Sequence, residues 1–83
     1  RQPYPNPAGD LLVIPYVLQS PQTVTLSVFD LSSRRIADLY GGPEGAGIHR
    51  IPWDCQGVAN GVYLIQLVTE SGAYTDRVVV AGQ

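Results

Sequence analysis

Along most of the chain, hydrophobic and polar positions alternate with a period of two. Between Thr23 and Asp30, Val24, Leu26 and Val28 alternate with Thr25 and Ser27, the pattern of a strand with one buried and one wet face. Leu11 to Leu18 repeats it, with Leu12, Ile14, Tyr16 and Leu18 on one face. Pro15 points the other way, and because proline donates no ladder hydrogen bond this segment reads as an edge strand. Val62 to Thr69 is apolar on both faces, Tyr63, Ile65 and Leu67 on one and Val62, Leu64 and Val68 on the other. That predicts a central strand. After the turn Glu70-Ser71-Gly72-Ala73, Tyr74 to Val80 returns and ends in the dense run Val78-Val79-Val80, completing a hairpin.

The middle of the chain is less regular. Ser33 could cap a helix carrying Ile36, Leu39 and Tyr40 at i, i+3 and i+4. A return strand over Arg35 to Tyr40 is favoured, because sequential strands tend to pair and short helices are marginal in water. Gly41 to Gly47 (GGPEGAG) reads as a loop by composition. His49, Ile51 and Trp53 share a face of the next strand, and Asp54 to Gly61 (DCQGVANG) reads as a turn. Short strands with close turn signals predict an all-β, immunoglobulin-like antiparallel sandwich of about seven strands. Residues 1–10 carry Pro3, Pro5 and Pro7 and read as a stiff linker leading into the domain, which occupies residues 11–83.

Composition narrows the class. The 83 residues suffice for one domain, and five basic against seven acidic residues give a net charge of -2. Without a basic patch, nucleic acid is not an expected partner. No apolar run approaches the ~20 residues of a spanning helix, so direct membrane insertion is not expected either. Methionine is absent even from position 1, which suggests a piece of a longer polypeptide. The lone Cys55 cannot form an internal disulfide.

Candidate chemistry is sparse. His49 and Cys55 are the only base and thiol, and a nucleophilic pair would need them within hydrogen-bond reach; the simpler reading is a strand histidine and a small turn residue. Asp10, Asp30, Glu44 and Asp54 could offer hard oxygen ligands, but not in a dense D-x-D-x-D pattern. No catalytic, cofactor-binding or metal-ligating residue is therefore expected. Aromatic residues fall on nearly every strand, and alternation sends some of Phe29, Trp53 and Tyr63 inward instead of onto a sugar platform. Tyr63, just past Asn60-Gly61, is placed for a tyrosine corner.

Five segments in order resemble one family. Tyr4-Pro5-Asn6-Pro7-Ala8-Gly9-Asp10 is similar to the opening motif of the C-terminal sorting domains of the type IX secretion system, the Por secretion tails. Thr25 to Arg34 resembles the family's V-x-L-x-[IVL]-[YF]-D-x-x-G-[RK] hairpin, which includes Asp30, with Ser33 in place of the usual glycine. Gly47 to Asp54 resembles G-x-H-x-x-x-[WL]-[DN], carrying Trp53 and Asp54. Asn60 to Leu64 resembles G-[VI]-Y, carrying Gly61 and Tyr63, and Arg77 to Val80 resembles the terminal K-[VIL]-[VIL]-[VIL]. Cys55 follows the Trp-Asp pair where a small residue is common.

The resemblance implies a non-catalytic tail on a larger cargo protein, of the kind found in Bacteroidetes. Such a tail is recognised in the periplasm by the type IX translocon and carries folded cargo across the outer membrane. A surface sortase-like protease then removes it and attaches the cargo to the cell surface. The partner is expected to read the terminal edge, with Arg77, Val78, Val79 and Val80 as recognition residues, because Val78-Val79-Val80 is more apolar than a free edge should be unless the fold or a partner covers it. Two rivals stay open: a hook-capping immunoglobulin-like scaffold domain, which shares Y-P-N-P, and an accessory spacer or carbohydrate-binding module beside an enzyme. Ala8-Gly9-Asp10 and the chain's end just after Val80 favour sorting.

Overall fold

The computed structural model describes residues 11–81; Tyr4, Pro5, Asn6, Pro7 and Asp10 of the opening motif lie outside the described residues. Six strands follow in order: β1 (Leu11–Leu18), β2 (Gln22–Phe29), β3 (Arg35–Glu44), β4 (Gly47–Asp54), β5 (Gly61–Thr69) and β6 (Gly72–Val80). They form two sheets, β1-β4 and β3-β2-β5-β6, with every pair antiparallel. The all-β sandwich is as the alternation predicts, with six strands among the described residues where about seven were expected. β5 is central, between β2 and β6, and β1 is an edge strand.

The core forms where the alternating faces meet. From the small sheet come Leu12, Ile14, Tyr16, Leu18 and Trp53, and from the large one Val24, Leu26, Val28, Tyr63, Ile65, Val78 and Val80. The Trp53 and Tyr63 rings meet edge to face with centroids 5.9 Å apart and planes at 75°, a favoured aromatic geometry. The Tyr63 hydroxyl donates to the Ala59 carbonyl at 2.7 Å, so the tyrosine turns back onto its own approach and closes a tyrosine corner. Cys55, expected as a small turn residue, opens the turn in which the Val58 amide donates to its carbonyl at 3.0 Å, and it is fully buried at 0% exposure.

β3 is a second departure. Gly41-Gly42-Pro43-Glu44, expected as loop, continues β3 opposite Thr25, Val24, Thr23 and Gln22. The first half of β2 lies beyond its register with β5, which begins at Thr25, so its backbone bonds to this stretch instead. Glycine and proline are tolerated there because β3 is an edge strand. Register shifts between Leu26 and Ser27 and between Val28 and Phe29 mark bulges, a usual means of bending an edge.

Truncating the aromatic junction should cost most. Trp53→Ala is expected to lower stability by about 3–5 kcal/mol, and Tyr63→Phe, which removes only the hydroxyl, by about 1 kcal/mol. Urea denaturation of both variants checks the ranking; a Trp53→Ala loss under about 1 kcal/mol contradicts the burial of the ring.

Candidate functional site

The terminal strand β6 ends the large sheet, paired on one side with β5 and on the other with no strand among the described residues. Alternation divides its side chains between two tasks. Val78 and Val80 point into the sandwich and are 3% and 1% exposed, so the fold itself covers two of the three valines. Arg77 is exposed and Val79 half-buried on the outer face. Of the four residues expected to meet a partner, Arg77 and Val79 present side chains outward; Val78 and Val80 offer only their backbone.

The register adds neighbours that motif reading did not single out. Leu64 lies opposite Arg77, Val62 opposite Val79, and Phe29 opposite Leu64. Phe29, Val62, Leu64 and Val79 are all half-buried, so β2, β5 and β6 share an apolar outer patch edged by Arg77. Arg35 lies over the Phe29 ring, its guanidinium carbon 5.6 Å from the centroid, within cation–π range. The two-faced apolar character of Val62 to Val68 was the available signal, since one face of that run had to be left for the outside.

The β2–β3 turn is organised by Asp30. Its Oδ1 accepts from the Ser32 amide at 2.9 Å, the Ser32 hydroxyl at 2.7 Å and the Arg34 amide at 2.9 Å. Its backbone amide donates to the Arg34 carbonyl at 2.9 Å, and its carbonyl accepts from the Ser33 amide at 3.0 Å. Ser33, where the resembling motif has glycine, lacks a glycine's free access to positive φ. It adopts φ 71° nonetheless, and the Asp30 bonds on either side hold that strained conformation in place. The Ser32 hydroxyl first, then the Arg34 backbone, keep the Asp30 carboxyl below its ordinary value of 3.8.

A polar cluster joins the small sheet to the end of β3. The Tyr16 hydroxyl donates to Glu44 Oε2 at 2.8 Å, and His49 Nδ1 lies 3.4 Å from the same oxygen. His49 Nε2 is 2.7 Å from the Gly45 carbonyl, which requires a proton on that nitrogen. The Tyr16 and His49 rings stack at 5.2 Å, and burial, reinforced by Glu44, pushes the Tyr16 phenol well up. These contacts fasten the tight 44–47 connection. They set the His49 ring against Glu44 and Gly45, while Cys55 lies six positions further along the chain, roughly 20 Å at strand rise, and the structure does not bring the two together. Asp54 Oδ1 accepts from the Gln56 amide at 3.1 Å, a local turn role. Among the described residues, no three His, Cys, Asp or Glu side chains gather as a metal site.

Two measurements probe the turn. Ser33→Gly should raise stability by up to about 1 kcal/mol, because glycine adopts positive φ without a Cβ clash. Asp30 has a lower pKa folded than unfolded, so the stability it confers is present above the unfolded value and is lost as pH falls through the folded one. Acid titration of the unfolding midpoint should therefore show a loss below about pH 4 that is smaller in Asp30→Asn.

A model of the secretion system C-terminal sorting domain matches residues 2–81. No curated protein and no solved structure matches the chain.

Proposed function

Because the chain belongs to the family of secretion system C-terminal sorting domains, matched from residue 2 to residue 81, we propose that it acts as the export signal of a larger cargo protein. The family is one of type IX secretion signals, non-catalytic in itself, and the family assignment implies interaction with that machinery and passage across the outer membrane. The proposed course is periplasmic recognition by the translocon, carriage of folded cargo, then removal by a sortase-like protease and attachment at the surface. The family match carries this reading, and the hook-capping and accessory-module alternatives have no comparable support.

On this reading the translocon contacts β6 through its open backbone edge and the adjoining patch around Arg77 and Val79. An extended partner segment adding to a sheet edge is a recurrent recognition mode, with affinity from the backbone and selectivity from neighbouring side chains. Deleting residues 78–83 would remove two core valines and so would report folding as well as recognition. Surface substitutions separate the two.

A signal peptide, a fluorescent protein and residues 1–83 fused in that order should reach the surface of a bacterium with a type IX system, and stay in the periplasm of a translocon-deficient strain. Arg77→Glu with Val79→Thr should reduce surface display several-fold while the unfolding midpoint holds. Arg50→Glu on β4 should leave display unchanged. Equal export from the deficient strain removes the sorting reading; full export of the β6 variant removes only the assignment of the surface.

A further inference from the structure

We propose, on the reading that β6 is the export contact, that its open edge takes up an extended partner segment bearing a lysine or arginine opposite Asp76. The burial pattern breaks along this strand. Tyr63, Ile65 and Leu67 face inward on β5, and their register partners on β6 are Val78, Asp76 and Tyr74. Val78 is 3% exposed, yet Tyr74 on the same face is 54% exposed, and Asp76 between them is exposed as well. The core closes over the end of β6 and leaves the inner face of its first half bare.

A groove of about 280 Å³ lies there, between Ile14 and Tyr16 of β1, Leu26 and Ile65 of the core, and Tyr74 and Asp76 of β6. Its size falls just below the roughly 300–1,000 Å³ of small-molecule sites and suits one long side chain. Of its lining residues only Asp76 and Arg77 carry charge, and Arg77 directs its side chain to the outer face. Asp76 takes part in none of the ion pairs among the described residues. Its Oδ1 accepts from the Arg77 amide at 2.8 Å, and its Oδ2 accepts no hydrogen bond among the described residues.

That hydrogen bond agrees with the register. The two-residue turn Glu70-Ser71 joins Thr69 to Gly72, so Tyr74, Asp76 and Val78 bond to β5. Ala73, Thr75, Arg77 and Val79 turn their amides and carbonyls to the open edge, where Asp76 takes up the Arg77 amide. An added antiparallel segment bonds to Thr75 and Arg77 and stands one residue opposite Asp76 as a non-hydrogen-bonded pair, the closer kind. Opposed residues share a face, so that side chain enters the groove. An incoming carbonyl at the Arg77 amide displaces the Asp76 carboxylate. A partner without a cation leaves the carboxylate short of a bond beside apolar walls, which costs free energy. Lysine or arginine replaces the bond with a charge-assisted one and lays its methylenes on Ile14 and Ile65. Asp76 thus guards the edge against neutral strands and admits basic ones.

NMR titration of the intact chain tests this selectivity. The probes are peptides long enough to span Ala73 to Val79, threonine alternating with valine, with lysine, glutamine or glutamate at the centre of the inward set. The lysine peptide should shift the Thr75 and Arg77 amides and the Ile14 methyls, and bind roughly 3–5-fold more tightly than the glutamine peptide. The glutamate peptide should bind weakest, and Asp76→Asn should bring lysine and glutamine level. In the fluorescent fusion, Asp76→Lys should cut surface display several-fold at an unchanged unfolding midpoint. The proposal is overturned if about 5 mM lysine peptide leaves Thr75 and Arg77 unshifted, if lysine and glutamine bind equally, or if the lysine preference survives Asp76→Asn. Full display of Asp76→Lys with the peptide order intact overturns the export reading of β6 and leaves the selectivity of the groove standing.

Discussion

The edge-to-face contact of Trp53 and Tyr63 joins the two sheets where β4 ends and β5 begins. Trp53 comes from the two-stranded sheet and Tyr63 from the four-stranded one, so neither sheet can slide without separating the rings. The Tyr63 hydroxyl bond to Ala59 folds the 55–60 turn over the same point, and Cys55, at the start of that turn, is buried in the same core. With that end pinned, Gly61 aligns with Val80 and Tyr63 with Val78, and the whole register of the terminal hairpin follows. A small domain with a thin core depends heavily on one such junction.

The second constraint is the number of edges. Among the described residues, sheets of two and four strands have four edge strands, each a template for unwanted pairing unless it is protected. The chain answers with local devices: prolines at positions 15, 43 and 52 in β1, β3 and β4, and bulges along β2–β3. β6 carries no proline and no register shift against β5. It is the edge least defended by such devices, which fits a strand kept available for a partner.

Much of this was legible in the alternation, because a period of two reports which side chains share a face. Leu12 through Leu18 and Val24 through Val28 were assigned inward correctly for that reason. The same signal is silent about partners: that β1 joins β4 and β2 joins β5 depends on contacts distant in sequence. Composition misled at Gly41 to Glu44, where backbone bonding to β2 outweighed the loop preference of glycine and proline. Ser33 shows the reverse case, a residue with a steric objection to positive φ overruled by five hydrogen bonds centred on Asp30. The apolar patch of Phe29, Val62 and Leu64 was half-visible, since a strand apolar on both faces must show one of them to something other than the core.

Placing recognition on β6 ties it physically to folding. The strand's inward valines, Val78 and Val80, complete the core beside Tyr63 and Ile65, while Arg77 and Val79 face outward from the same few residues. Side chains on opposite faces of one strand cannot be positioned independently: a one-residue slip would bury Arg77 and Val79 and expose the core valines. A β6 that is out of register, or unfolded, therefore presents neither the outward pair nor a straight backbone edge. Under the sorting reading, a translocon that binds this surface tests the fold of the tail in the act of recognising it. Because the features concerned lie within the domain, the test is the same whatever cargo stands before it.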